Sequence, residues 1–384
     1  MKKSLITLIF LALTVMSFSA MAADNNYAVF IDAGSSGSRI HVFQYQPSTD
    51  LPVLNDVFSE NVKPGLSSFA DHPNDAGVSL KKLLDDASQF LQKQGVDVHA
   101  APINVLATAG MRLLPEDKQA AIYANVRNYI QTNTVFPISH IETISGKMEG
   151  LYGWLDINYL SGNFAEQKST VGSIDMGGAS TQIAFETDDQ SRPDDEISVN
   201  INHQQHNVFS KSFLGLGEDQ ARGTMQKDQR SSTCYPNQYV SKTSVFDFST
   251  CSTLYATIIQ NQHVSEQILS TAKKSFIAYS GIYYTFNFFG VDGFPTEDVL
   301  NMHIDSECYG NWDDFKKRHP TVDEKYLSSY CADGSYHSQL LYHAYHLIGS
   351  PYPSQSQVEV AEQINKHDID WTLGAALYSL TQVH

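Results

Sequence analysis

Hydrophobic runs separated by a glycine-rich turn predict a strand–turn–strand unit near the start of the chain. The run YAVFID at 27–32 is typical of a buried strand, and RIHVFQY at 39–45 is typical of a second strand because it is rich in β-branched and aromatic residues. The unit returns about 140 residues later, where VGSID leads through MGGAS into TQIAFE. Two such units indicate two related domains rather than a short solenoid repeat.

Helical periodicity follows the first unit and returns at the end of the chain. Apolar residues at helical spacing predict a helix over 79–94, Pro115 begins another that runs to about residue 130, and INVLAT at 103–108 predicts a strand between them. The segment 146–160 predicts a helix that begins near a functional loop, 368–380 predicts a terminal helix, and the polar stretch 188–200 predicts a surface loop. This alternation indicates an α/β protein.

The first 22 residues have the pattern of a signal peptide. Lys2 and Lys3 precede an apolar run at 5–15, and Ala20-Met21-Ala22 supplies a cleavage site. The alternative is an uncleaved membrane anchor, but the apolar run is short for a span. We therefore predict a secreted or periplasmic protein with no membrane segment after cleavage.

Charge and cysteine content narrow the function. The 384 residues carry a formal net charge of −17, from 42 acids and 25 bases, which argues against binding nucleic acid because a phosphodiester backbone requires a basic face. A polyanionic small substrate remains compatible if a divalent cation supplies positive charge. Four cysteines in an oxidising compartment indicate disulfides, with three pairings open, and zinc is disfavoured because C-x2-C spacing is missing.

The two glycine turns suit phosphate binding. A strand that ends in Asp32 or Asp175 brings a carboxylate to the rim of a sheet, and the glycines that follow leave backbone N–H groups pointing outward as an anion nest. A single turn of this kind is more often an ordinary hairpin. Two copies favour a clamp on one phosphate chain, in which both aspartates share one divalent ion directly or through water.

Two further residues are candidates from their local sequence. Glu149 lies beside apolar Leu151 and Trp154, and partial burial would raise its pKa toward that of a general base, although a solvated helix-surface glutamate is the alternative. Arg112 is a natural cation for the phosphates, the alternative being a surface arginine that caps a turn.

Five segments resemble, in order, the motifs of one family, the apyrases or ecto-nucleoside triphosphate diphosphohydrolases. The segments are DAGSSGSR at 32–39, ATAGMRLLP at 107–115, GKMEGLYGWLDINYL at 146–160, IDMGGASTQIAFE at 174–186 and WTLGAALYSL at 371–380. The chain most resembles soluble, secreted bacterial members. The resemblance implies two RNase-H-like domains of the actin/hexokinase/Hsp70 superfamily, with the active site in the cleft between them.

The resemblance also implies a role for each matching residue. Glu149 matches the base that activates the attacking water, and Ser180 matches the hydroxyl that positions this water. Asp32 and Asp175 match the carboxylates that hold a Mg²⁺ or Ca²⁺ ion, mostly through its bound water molecules, and Gln182 lies near this metal shell. The matching phosphate-contacting positions are Gly34, Ser35, Ser36, Gly37, Thr108, Gly177, Gly178 and Ala179, which Arg112 joins as the candidate cation. Tyr284, beside Tyr283, and Tyr336 match positions near the base slot, and Cys234–Cys251 and Cys308–Cys331 resemble family disulfides. Many animal members carry a bulkier residue where this chain has Gly37.

We therefore predict metal-dependent hydrolysis of the terminal phosphates of nucleoside tri- and diphosphates. The predicted domains are 23–160 and 161–365, with a C-terminal helix at about 366–384 that packs back on the first domain, and a monomer is favoured. Three alternatives stay open: an exopolyphosphatase, a sugar or metabolite kinase of the same superfamily, and a non-catalytic nucleotide-binding module.

Overall fold

The computed structural model describes residues 26–48, 50–347 and 357–382, so the predicted signal peptide lies outside the described residues. A first mixed sheet has the order β3-β2-β1-β4-β5. Its strands are β1 (Asn26–Ala33), β2 (Ser38–Gln46), β3 (Val53–Val62), β4 (Ile103–Ala107) and β5 (Ile138–Thr143). Strand β1 pairs antiparallel with β2 and parallel with β4, so the first glycine turn is the β1–β2 hairpin.

A second sheet repeats this arrangement. Its order is β11-β10-β6-β7-β9-β8, with β6 (Gly172–Met176), β7 (Ser180–Glu186), β8 (Glu196–Ile201), β9 (Gln204–Leu214), β10 (Ser275–Ser280) and β11 (Gln357–Val360). Strand β6 pairs antiparallel with β7 and parallel with β10, as β1 does with β2 and β4. A small hairpin, β12 (Gln363–Ile364) and β13 (His367–Asp368), follows. The two halves therefore share one strand order around equivalent hairpins, and the predicted α/β fold class is confirmed.

Fifteen α-helices accompany the two sheets in the described part of the chain. With the first sheet run α1 (Ala76–Ser79), α2 (Lys81–Lys93), α3 (Ala109–Arg112), α4 (Glu116–Asn133), α5 (Gly146–Leu160) and α6 (Asn163–Glu166). The second half of the chain contains α7 (Glu218–Met225), α8 (Phe248–Asn261), α9 (Val264–Gln267), α10 (Gly281–Phe288), α11 (Glu297–Cys308), α12 (Trp312–Arg318), α13 (Glu324–Leu327) and α14 (Tyr330–Ser338). The last helix, α15 (Trp371–Thr381), follows the β12–β13 hairpin. Among the described residues no helix combines the length and apolarity that a membrane span requires.

Helices α5 and α15 lie between the two sheets and share one apolar core with both of them. Glycines allow the close approach of α5 to the second sheet: a Cβ on Gly150 would lie 2.4 Å from Ser210 Oγ, and one on Gly153 would lie 2.3 Å from Tyr279 Oη. We call the halves the first lobe, built on β1–β5, and the second lobe, built on β6–β11. Since α5 packs against β6, β7 and β9, it connects the lobes, although the sequence grouped it with the first domain.

The larger core belongs to the second lobe. Cys234–Cys251 and Cys308–Cys331 are disulfide-bonded within it, which confirms the predicted pairing. One predicted element is wrong: the surface loop at 188–200 ends early, because Glu196–Ile201 form β8. In the alternating sequence EISVNI, Val199 and Ile201 are buried in the core that α5 and α15 share. Successive side chains of a strand point to opposite faces, so the polar residues between them do not prevent strand formation.

Candidate active site

A cleft of about 660 Å³ separates the two lobes, and both glycine turns line it. From the first lobe come Asp32, Gly34, Ser35, Ser36, Gly37 and Thr108, and from the other side come Glu149, Asp175, Gly177, Gly178, Ala179 and Ser180. The turns approach each other closely, since a Cβ on Gly178 would lie 2.8 Å from Ser35 Oγ. The structure thus brings together most of the predicted site residues.

Gly37 is constrained by its surroundings. A Cβ at this position would lie 2.8 Å from the carbonyl oxygen of Val62, at the end of β3. A backbone atom cannot move aside as a flexible side chain can, so a larger residue would displace the turn or β3. The bulkier residue that many animal members carry at this position would therefore require a different course of the backbone around Val62.

Glu149 lies in the first turn of α5, whose N-cap Ser145 accepts a hydrogen bond from Met148 N. Its carboxylate is nearly buried and accepts a hydrogen bond from Arg112 Nη2 at 2.7 Å. The same Nη2 donates to Ser180 Oγ at 3.0 Å, and Nη1 donates to the Ile144 carbonyl at 3.2 Å. Its guanidinium is bound to Glu149 and Ser180, which both line the cleft, so the predicted contact of Arg112 with the phosphates stays a prediction.

Gln182 holds the same pair from the opposite side. Its Nε2 donates to Ser180 Oγ at 2.6 Å, to Glu149 Oε2 at 3.1 Å and to Ser212 Oγ at 2.9 Å. Gln182 pairs with Asp175 across β6 and β7, which explains its predicted place near the metal shell. Its amide nevertheless points at Glu149 and Ser180. Ser212, on β9, was missed by sequence analysis because it belongs to no recognisable motif.

Burial controls the acidity of the site. It raises the pKa of Glu149, and the charge and hydrogen bond of Arg112 oppose this rise. Burial together with the charge of Glu149 raises the pKa of Asp175 to about 7. The pKa of Asp32 is raised well above its usual value by burial and by the charges of Asp370 and Glu149. For all three carboxylates, the neighbouring positive charges do not offset the cost of burial.

The residues at the centre of the cleft fit a divalent cation. Asp32 Oδ1 is buried without a hydrogen-bond partner among the described residues, and Asp175 faces the same cleft from the second lobe. Carboxylate oxygens are the ligands that Mg²⁺ and Ca²⁺ prefer. The described part of the chain contains no group of three His, Cys, Asp or Glu side chains placed to hold an ion, so water or substrate oxygens would supply the other ligands.

A network at the start of α15 was also missed. Asp370, the N-cap of α15, accepts a hydrogen bond from Arg39 Nη1 at 3.0 Å and lies 3.4 Å from His41 Nε2. His41 Nδ1 lies 2.6 Å from Asp56 Oδ2. Burial would lower the pKa of His41, but Asp370 and Asp56 raise it to about 10. The sequence gives no signal for this network, because His41 lies within an apolar strand pattern and Asp370, which joins it to Arg39, lies 329 residues further along the chain.

The two tyrosines predicted for base binding, Tyr284 and Tyr336, lie in different environments in the structure. Tyr284 lines the cleft beside Tyr283 and is 52% exposed, so its ring is available for stacking. Tyr336 is fully buried in the core of the second lobe, and its hydroxyl donates to the Leu216 carbonyl. The prediction for Tyr336 is therefore wrong: the position on α14 matched, but the side chain points into the core.

Comparison with known proteins identifies the family. The profile of the GDA1/CD39 family, described as nucleoside phosphatases, matches residues 19–384. The chain is 29% identical to probable apyrase 3 of Arabidopsis thaliana, over 91% of this chain and 81% of that protein. It is 28% identical to the guanosine-diphosphatase of Schizosaccharomyces pombe, over 94% of this chain and 76% of that protein.

A solved structure extends the likeness to the fold. The structure of nucleoside triphosphate hydrolases from Neospora caninum superposes with a TM-score of 0.66 at 16% identity, over 93% of each chain. At that identity the match supports the fold alone, and it agrees with the two-lobed α/β architecture. The profile match spans nearly the whole sequence, so the chain belongs to the GDA1/CD39 (nucleoside phosphatase) family.

Proposed function

We propose that this protein hydrolyses the terminal phosphates of nucleoside tri- and diphosphates with an activated water molecule. The observation that carries the proposal is the position of Glu149. Its buried carboxylate, held by Arg112 and Gln182, lines a cleft in which the two glycine turns meet. Relatives named apyrase and guanosine-diphosphatase act on the same class of substrate.

The geometry supports a direct in-line hydrolysis. The backbone N–H groups and hydroxyls of the two turns bind the terminal phosphate, and Glu149 accepts a proton from water as the water oxygen bonds to phosphorus. The bond between that phosphorus and the bridging oxygen breaks, and the shorter nucleotide leaves with its electron pair. Ser180, bound by both Arg112 and Gln182, lies beside Glu149 to orient the water.

Asp32 and Asp175 would hold a divalent cation, directly or through water. When bound, such a cation neutralises charge on the phosphate oxygens. The surroundings of both aspartates favour this occupant, because burial and neighbouring acids leave them without a cationic partner strong enough to keep their pKa values low. The two arginines of the cleft are engaged elsewhere, Arg39 by Asp370 and Arg222 by Asp219 and Asp333.

We further propose that the protein is exported, as a secreted or periplasmic monomer. Two disulfides support a site of action in an oxidising compartment, and the predicted signal peptide agrees with it. Domain limits at 23–160 and 161–365, with the helix after 366 returning to the first lobe, remain part of this proposal.

The test is a phosphate-release panel. It compares nucleoside tri-, di- and monophosphates with inorganic polyphosphate, with and without chelator, and without any acceptor alcohol. We expect release from tri- and diphosphates only, and loss of release with chelator. Glu149→Gln should reduce the rate at least a hundredfold while the nucleotide still binds. Release from polyphosphate alone, a requirement for an acceptor, or near-normal turnover of Glu149→Gln would overturn the proposal.

A further inference from the structure

Four lysine and arginine side chains line the cleft: Arg39, Lys63, Arg222 and Lys325. Arg39 is paired with Asp370, and Arg222 is paired with both Asp219 and Asp333. Within the described residues, neither of the two lysines has a carboxylate partner. A substrate with several negative charges therefore meets two cations that are not already neutralised.

Lys63 extends across the mouth of the cleft from one lobe to the other. It follows β3, and its stem lies against the first glycine turn, because a Cβ on Gly37 would be 3.5 Å from Lys63 Cγ. Its Nζ donates to the hydroxyl of Tyr326 at 2.6 Å and lies 5.3 Å from the centre of that ring. Tyr326 belongs to α13, whose Leu327 is buried in the second-lobe core.

Resting on the proposed function, we propose that Lys63 binds the phosphate chain of the nucleotide, exchanging the Tyr326 hydroxyl for a phosphate oxygen. A charge-assisted bond from an ammonium to a phosphate is stronger than a bond to a neutral phenol. The exchange needs only rotation of the flexible lysine stem, since the stem already touches the turn that binds phosphate. Lys325, with Nζ 5.5 Å from the same ring, contributes positive charge from the second lobe.

The exchange makes Tyr326 a competitor of the substrate. Its hydroxyl is bound to Lys63, and that bond also joins the two lobes. Removing the hydroxyl should release Lys63 for phosphate, whereas removing the ammonium should leave the phosphate chain without this contact. The two substitutions therefore have opposite expected effects on affinity, which a purely structural bridge between the lobes would not produce.

The experiment measures four variants beside the wild type: Lys63→Met, Tyr326→Phe, the double variant and Lys93→Met. Lys93 is an exposed lysine of α2 outside the cleft, so its substitution controls for the loss of one positive charge. Affinity for a non-hydrolysable nucleoside triphosphate analogue is measured by calorimetry with Mg²⁺ present. KM and kcat are measured from phosphate release.

We expect Lys63→Met to raise Kd and KM about tenfold with kcat changed little, as loss of one charge-assisted bond does. Tyr326→Phe should lower Kd, and it should have no effect once Lys63 is Met. An unchanged Kd in Lys63→Met, or a Kd raised equally by both single substitutions, would overturn the proposal. Absence of phosphate release from the wild type would instead refute the proposed function, so the two failures are distinguishable.

Discussion

At the level of single residues, the acidity of Glu149 is determined by two opposing influences. Burial raises its pKa, and Arg112, 2.7 Å away, lowers it. A general base acts only in its deprotonated form, so activity should fall as the pH drops through this pKa. If Glu149 is the general base, as proposed, we expect Arg112 to act as a positioning residue whose charge determines where the acid limb of the pH–rate profile lies.

Replacing Arg112 tests this role. Arg112→Met removes the influence that lowers the pKa of Glu149, so the acid limb of kcat/KM should move to higher pH, and kcat at neutral pH should fall by about a hundredfold. Arg112→Lys keeps a positive charge and should retain more activity, with a smaller displacement of the limb. A limb at the wild-type pH in Arg112→Met, with only KM raised, would show instead that the guanidinium contacts substrate.

At the level of elements, glycines determine how closely the two central helices pack. A Cβ on Gly374 of α15 would lie 1.9 Å from the carbonyl oxygen of Tyr152 in α5. Helices that meet at a glycine bring their backbones into contact, and any side chain there forces them apart. Because α5 also carries Glu149, the packing of α15 and the position of the base are linked.

Gly374→Ala should therefore destabilise the protein by about 3 kcal/mol through overpacking, measured as a lower denaturant midpoint with an unchanged slope. Gly223→Ala is the matched control: it lies in α7 with no atom within 4 Å of an added Cβ. That substitution should be neutral or stabilise by about 0.5–1 kcal/mol, because alanine favours helix. Equal effects of the two substitutions would exclude overpacking as the cause.

The sequence predicts local elements better than it predicts side-chain partners. The strands around Asp32 and Asp175 follow from short-range patterns, and the motifs place Glu149 and Ser180 in the cleft. The partner of Arg112 could not be predicted, because its hydrogen bond to Glu149 depends on how α3 and α5 meet. The prediction that Tyr336 binds the base failed for a related reason, because the position of a residue in a motif does not reveal the direction in which its side chain points from the helix.

At the level of the whole molecule, the two lobes bring buried carboxylates to a common cleft. Asp32 belongs to the first lobe and Asp175 to the second, and the pKa of each is raised by burial. The lobes are joined elsewhere by α5, α15 and the Lys63–Tyr326 hydrogen bond. A divalent cation between the aspartates would add a further connection and would offset the charge that makes their burial costly.

Cation binding should therefore stabilise the folded protein even without nucleotide. At a Mg²⁺ or Ca²⁺ concentration of about one hundred times Kd, linkage gives about 2.7 kcal/mol, which corresponds to a rise in Tm of roughly 3–4 °C for a chain of this length. Asp32→Asn and Asp175→Asn should each lose most of this rise, because one carboxylate is then missing. Asp313→Asn, at an exposed position of α12, should keep it. Scanning calorimetry at constant ionic strength measures the effect, and an equal rise in all four proteins would mean that the cation binds outside the cleft.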